Sequence, residues 1–156
     1  MKHPVPLDGF IQIALIVEDL ERAIEGWCTV LGVPRSDVIE MDMPAKPNPN
    51  EKYRGEEANY GLKLGIIHSK ERGFIIELHE PDQNPSTFRE FLTKHGNGLH
   101  HLGFAVGDAR DDVVADLEAN GFPIRNVGIY PEGSWTILEG EDTLGVNLNI
   151  KPELGL

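Results

Sequence analysis

The chain has 156 residues, of which 40% are hydrophobic and 26% are charged, so it is long enough to bury a core as a globular protein. Its formal net charge of -12 disfavours nucleic-acid partners, because these are bound through basic surfaces, although a small anion can still occupy a locally basic pocket. No segment has the roughly 20 apolar residues of a membrane span, no apolar leader stands at the N-terminus, and Cys28 is the single cysteine, so we expect a cytoplasmic protein without a membrane partner.

The first half of the chain predicts one helix among four strands. Asp19 can cap a helix whose apolar residues recur at helical spacing up to Leu31, and Gly32 ends it. Three prolines make residues 44–60 a long polar loop. The predicted strands are Phe10–Val17, Val38–Met43, Leu62–Ile67 and Phe74–His79.

The second half begins with a short connecting helix that Asn84-Pro85 opens, and Phe88, Phe91 and Leu92 lie on one face of it. A second helix is predicted at about Ala109–Asn120. The strands predicted around it are Leu99–Val106, Ile124–Ile129, Trp135–Glu139 and Val146–Ile150.

The two halves are an internal repeat. Aligned strand on strand, Gln12 falls opposite His101, and Ala14 falls opposite Gly103. The repeat predicts an α+β fold of two βαβββ modules that form a cupped, eight-stranded mixed sheet. The modules are residues 9–81 and 98–151, and residues 82–97 form the connecting helix.

Period-two alternation divides the strand residues between two faces. One face carries Leu15, Leu78, Phe104 and Leu148 and is expected to pack on the helices, and His100 falls on this core face as well. The opposite face is expected to line the cup. It carries six polar residues, Gln12, Glu77, His79, His101, Asn147 and Asn149.

Three segments resemble the vicinal-oxygen-chelate superfamily, which includes glyoxalase I, bleomycin resistance proteins, extradiol dioxygenases and methylmalonyl-CoA epimerase. The segments are residues 98–106 (GLHHLGFAV), 76–81 (IELHEP) and 142–146 (DTLGV). The Gly-x-His-His motif and the Gly-Val ending are most similar to the epimerase branch. The resemblance implies paired βαβββ modules, a divalent metal ion in the cup, and a homodimer.

Carried over by position, the resemblance implies that the metal ligands are Gln12, Glu77, His101 and Asn149. The family's last ligand is usually a glutamate, so Asn149 removes one anionic ligand and, in glyoxalase-like members, a base. Such a set suits an octahedral ion such as Mn, Co, Ni, Mg or Fe(II) rather than tetrahedral zinc.

The chemistry of this set is proton transfer next to a carbonyl, with Glu77 and His79 as the catalytic candidates. The leading hypothesis is an epimerase or isomerase that acts on an acyl thioester or a related 1,2-dioxygenated compound. A glyoxalase-I-like lyase and a metal-free protein that sequesters a hydrophobic ligand are the alternatives. The dioxygenase branch is disfavoured, because Gln12 stands where that branch needs a histidine.

Overall fold

The computed structural model describes residues 1–130 and 133–153. In these residues the chain forms ten strands and four α-helices, and the strands pair as a mixed sheet, which confirms the α+β class with two strands more than predicted. The strands are β1 (Phe10–Ile16), β2 (Ile39–Met43), β3 (Lys52–Tyr53), β4 (Glu56–Glu57), β5 (Leu62–Ser69), β6 (Phe74–Pro81), β7 (Gly98–Ala105), β8 (Ile124–Tyr130), β9 (Gly133–Leu138) and β10 (Asn147–Lys151). The helices are α1 (Leu20–Leu31), α2 (Thr87–His95), α3 (Arg110–Ala119) and α4 (Glu141–Leu144). None of the helices in the described residues combines the length and apolarity needed to cross a membrane.

The chain divides into two compact units, each assembled from separate stretches of sequence. The first unit contains Ile13–Pro47 and Asn59–His100. The second unit contains Met1–Gln12, Asn48–Ala58 and the described part of His101–Leu156. The module boundaries derived from the repeat stay a prediction.

In the first unit, α1 packs on β5 and β6. Leu20 and Ile24 of the helix form a buried cluster with Ile67 of β5 and Leu78 of β6. This cluster confirms that Leu78 faces the helix, as period two predicts. The helix also begins as predicted, because the Asp19 side chain accepts a hydrogen bond from the Arg22 amide at 3.0 Å.

In the second unit, β10 pairs in parallel with β7 and antiparallel with β9. Val113 and Leu117 of α3 are buried against Leu148 and Ile150, and Phe104 packs on the same cluster. Phe104 and Leu148 thus face the helix, as period two predicts.

The predicted loop 44–60 is wrong in its second half, where β3 and β4 form a hairpin. Arg54 and Gly55 both have positive φ, 51° and 82°, which is the backbone of a two-residue type I′ turn. β3 also pairs with β8, with Lys52 opposite Val127. The connecting helix differs as well, because it begins at Thr87, where the Ser86 side chain caps the Arg89 amide.

Candidate functional site

Two of the predicted site residues form a direct pair on β6. His79 Nε2 and Glu77 Oε2 are 2.9 Å apart, and the side chains are 4% and 13% exposed, respectively. Their neighbours Ile76 and Leu78 pack towards α1, so alternation places Glu77 and His79 on the other face of the sheet. A carboxylate and an imidazole at this distance can hold a proton between them.

The imidazole of His79 is fixed by aromatic packing. Its ring centroid lies 5.3 Å from that of Phe88, which is fully buried, and Tyr60 meets Phe88 edge-on at 5.8 Å. The His79 carbonyl oxygen also accepts a hydrogen bond from the Val17 amide at 2.9 Å. The ring therefore has little freedom to turn away from Glu77.

A second pair forms in the second unit between Gln12 and His101. The Gln12 amide nitrogen is 3.2 Å from His101 Nε2, and both residues are 0% exposed. With the amide donating, His101 Nε2 is unprotonated, which is the state that binds a metal ion. Turning the amide over would point its oxygen in the same direction. The pair therefore offers two ligand atoms to a metal ion, one imidazole nitrogen and one amide oxygen.

Gly103 makes the position of Gln12 possible. A Cβ built on Gly103 would lie 2.9 Å from Gln12 Cβ and 3.0 Å from its Cδ, closer than side-chain carbons approach one another. The Gln12 side chain thus fills the space that any larger residue at 103 would need.

His100, next to His101, is a structural residue as predicted. It is 0% exposed, its Nε2 lies 3.0 Å from Thr87 Oγ1, and Phe88 and Phe91 of α2 contact its ring.

The two predicted asparagines of β10 have partners in the second unit. Asn149 is 2% exposed, and its Oδ1 accepts a hydrogen bond from the Thr136 amide at 3.1 Å. Asn147 Oδ1 accepts from the Gly140 amide at 3.1 Å, and its Nδ2 donates to Glu141 at 2.9 Å. Metal binding by Asn149 stays a prediction and would use the second lone pair of Oδ1.

The sequence gives no signal for an ionic cluster around Arg125. This residue is 4% exposed and donates to Glu139 at 2.6 Å and to Glu141 at 3.0 Å. Burial lowers its pKa, but hydrogen bonds to the two carboxylates outweigh burial and raise the pKa overall. Through Glu141 the cluster also holds Asn147, and it connects residues that no short motif brings together.

A model of the Glyoxalase/Bleomycin resistance protein/Dioxygenase superfamily matches residues 11–138. Among solved structures, the fold is similar to that of methylmalonyl-CoA epimerase from Mycobacterium tuberculosis, with a TM-score of 0.63 and 20% identity. This match covers 97% of the present chain and 91% of the other. A hypothetical protein from Bacillus halodurans C-125 is similar with a TM-score of 0.60 and 18% identity, and 91% of each chain is covered. No curated protein matches the sequence significantly.

Proposed function

Since the chain belongs to the Glyoxalase/Bleomycin resistance protein/Dioxygenase superfamily, we propose that it is a metal-assisted epimerase or isomerase that moves a proton next to a carbonyl. The observation that carries the proposal is the Glu77–His79 pair, a carboxylate and an imidazole 2.9 Å apart on one strand. The proposed substrate is an acyl thioester, the class of compound named for the epimerase of the same fold.

The donor chemistry of the two pairs fits a divalent metal ion. Glu77, His79 and His101 supply the donor types of a metal centre, and Gln12 adds an amide oxygen. We assign Glu77, His101 and Gln12 as ligands, because an ion that displaces the Gln12 N–H would bind the freed lone pair of His101 Nε2 and, with the amide turned over, the Gln12 oxygen. Such a set suits Mn, Co, Ni or Fe(II), and the bound ion would stabilise negative charge on the substrate carbonyl oxygen.

The chain's own residues would then transfer the proton. Glu77 Oε2 accepts it from the carbon beside the carbonyl, whose bonding electrons pass to the carbonyl oxygen, and His79 Nε2 shares it through the 2.9 Å contact until it returns to the substrate carbon. The packing of His79 against Phe88 keeps the acceptor in place, so orientation is set before the substrate binds.

The experiment that tests this proposal is deuterium exchange into an acyl thioester in heavy water, with and without Mn. We expect metal-dependent exchange at the carbon next to the carbonyl, abolished by chelator and by Glu77→Gln. Absence of exchange in folded, metal-loaded protein would overturn the proposal.

The role of His79 can be separated from that of His101. His79→Gln should retain Mn binding and slow exchange by roughly 100-fold, the usual contribution of a proton-transfer group. His101→Gln should instead weaken Mn binding, because an amide oxygen replaces the imidazole nitrogen, and the variant pair differs in position alone. If both variants weaken Mn binding equally, then His79 is a ligand and not a proton-transfer residue.

A second candidate function is metal-free binding of a hydrophobic ligand. It is favoured by Asn149, which stands where a glutamate is expected and whose Oδ1 is already bonded to the Thr136 amide. A metal assay on the purified protein decides between the two functions, with about one divalent ion per chain expected for the enzyme.

We also expect a homodimer, which light scattering after size exclusion would test.

A further inference from the structure

The sheet face that carries Glu77 and His79 can be identified from the packing of β5. A Cβ on Gly65 would lie 2.9 Å from Ile24 of α1, and Ile67 is buried against the same helix. Leu64 and Ile66 alternate with these residues and therefore lie on the opposite face. In the β5–β6 register Ile66 is directly opposite Glu77, and Leu64 is directly opposite His79, so all four share this face.

The same face continues onto β2. Ile39 is directly opposite Ile66, and Met41 is directly opposite Leu64. Glu40, between them, lies on the α1 face, where Arg35 bonds both Glu40 and Glu21 of α1. Two rows therefore run across three strands, Glu77–Ile66–Ile39 and His79–Leu64–Met41. We call their four apolar residues, Ile39, Met41, Leu64 and Ile66, the apolar strip.

The apolar strip leads from the catalytic pair towards solvent. Leu64 and Ile66 are 5% and 6% exposed, Met41 is half-buried, and Ile39 is 43% exposed. Strands in a sheet lie about 4.8 Å apart, so the strip extends about 10 Å from β6 to β2. That length is comparable with the length of a short acyl substituent.

No Lys or Arg of β2, β5 or β6 lies on the face of the apolar strip, and apart from His79 the one basic residue of these strands beside the strip on this face is His68, beyond Ile66 along β5. The one Lys or Arg in the three strands is Lys63, which lies on the α1 face beside Glu80, 3.5 Å from it. Arg89 of α2 is engaged by the backbone, since it donates to the carbonyl oxygens of Pro81 and Asp82. Beyond the reach of the metal ion proposed at Glu77, a carboxylate placed on the strip would lose its hydration without gaining a cation.

We propose that the substrate carries an apolar substituent at the reacting carbon, bound on the apolar strip, and not a free carboxylate of the malonyl type. The inference rests on the proposed function, because it takes Glu77 and His79 as the reacting pair. It goes further in naming which class of acyl thioester this chain prefers.

Two thioesters that differ at one group test the inference. 2-Methylbutanoyl-CoA and methylmalonyl-CoA share the carrier and the methyl branch, but the first ends in an ethyl group and the second in a carboxylate. Calorimetric titration of the metal-loaded protein should give a Kd at least about tenfold lower for 2-methylbutanoyl-CoA, because the carboxylate loses its hydration on the strip.

Met41→Lys supplies the missing cation and should shrink or invert this ratio. Asp42→Asn is the matched control, because it changes the net charge by the same amount on the same strand but on the other face, and it should leave the ratio within about twofold. Equal or tighter binding of methylmalonyl-CoA to the wild type, failure of both thioesters to bind, or an equal response of the two variants would overturn the inference. Deuterium exchange into both thioesters tests the proposed function separately. The ratio of the two Kd values can be measured even if neither thioester takes up deuterium.

Discussion

At the scale of single residues, Gly103 decides where the Gln12 amide lies. The backbone of Gly103 does not have a positive φ, so glycine is needed here for the space that it leaves and not for its conformational freedom. Residue 103 has no side chain, and the Gln12 carbons fill the place within 3.0 Å of where a Cβ would be. The amide that bonds His101 is therefore positioned by the residue two places further along β7.

We predict that Gly103→Ala destabilises the protein by about 1–3 kcal/mol, the usual cost of overpacking. The displaced Gln12 should also weaken Mn binding, as measured by titration of the folded variant. Gly26→Ala is the matched control, because a Cβ there meets nothing within 4 Å and Gly26 lies inside α1. That change should stabilise the protein by about 0.5–1 kcal/mol in urea unfolding. A Gly103→Ala variant as stable as wild type would contradict the argument.

At the scale of elements, the predictions agree with the structure where an element depends on interactions between residues that are near in sequence. α1 is predicted almost to the residue, because its Asp19 cap and its Gly32 stop, with φ of 66°, are local signals. β3 is missed, because its two residues are stabilised by pairing with β8, some 75 positions away in sequence. Period two predicts which strand residues face the helices, but it does not predict the ion pairs around Arg125.

The strand faces of β7 give a stability prediction. Phe104 packs on the α3 cluster and lies 5.5 Å from Phe10, but it is half-buried. Phe104→Ala should therefore cost about 3 kcal/mol, the low end for a large core truncation. Leu99→Ala, at a position of the same strand that is 42% exposed, should cost less than about 1 kcal/mol. Urea unfolding measures both, and similar losses would mean that the assignment of faces is wrong.

The N-terminal segment gives a prediction for pH. The Asp116 side chain on α3 accepts hydrogen bonds from the backbone amides of His3 and Lys2, and these, with the charge of His3, lower its pKa. A lowered pKa contributes stability that is present above the unfolded value of about 3.9 and is lost as pH falls through the folded value.

Asp116→Asn retains an acceptor oxygen but removes the charge. Its thermal midpoint should lie below that of the wild type at pH 7, and the difference should vanish as the pH is lowered beneath about 3.9. Scanning calorimetry from pH 7 to pH 3 measures the difference. A difference independent of pH would show that the charge of Asp116 does not hold the segment.

At the scale of the whole molecule, metal binding and folding are thermodynamically linked equilibria, because an ion that binds only the folded chain raises its unfolding free energy. Sequence reasoning could identify the candidate ligands Glu77 and His101 by position. It could not see that Asn149, taken as the fourth ligand, bonds the Thr136 amide, since that contact depends on how β9 lies beside β10.

Asn149→Glu tests the fourth position through this equilibrium, with Asn149→Gln as a control of equal size and no charge. Asn149 is 2% exposed, so a glutamate without a metal ion is desolvated, and its pKa should rise. The stability of the variant in chelator should therefore fall as the pH rises. With Mn or Ni, the added carboxylate becomes a ligand, and metal affinity should increase by roughly an order of magnitude over wild type. The thermal midpoint of Asn149→Glu should then recover, whereas that of Asn149→Gln should not. An equal deficit of Asn149→Glu with chelator and with metal would show that no ion is bound at this position and would favour the metal-free binding protein.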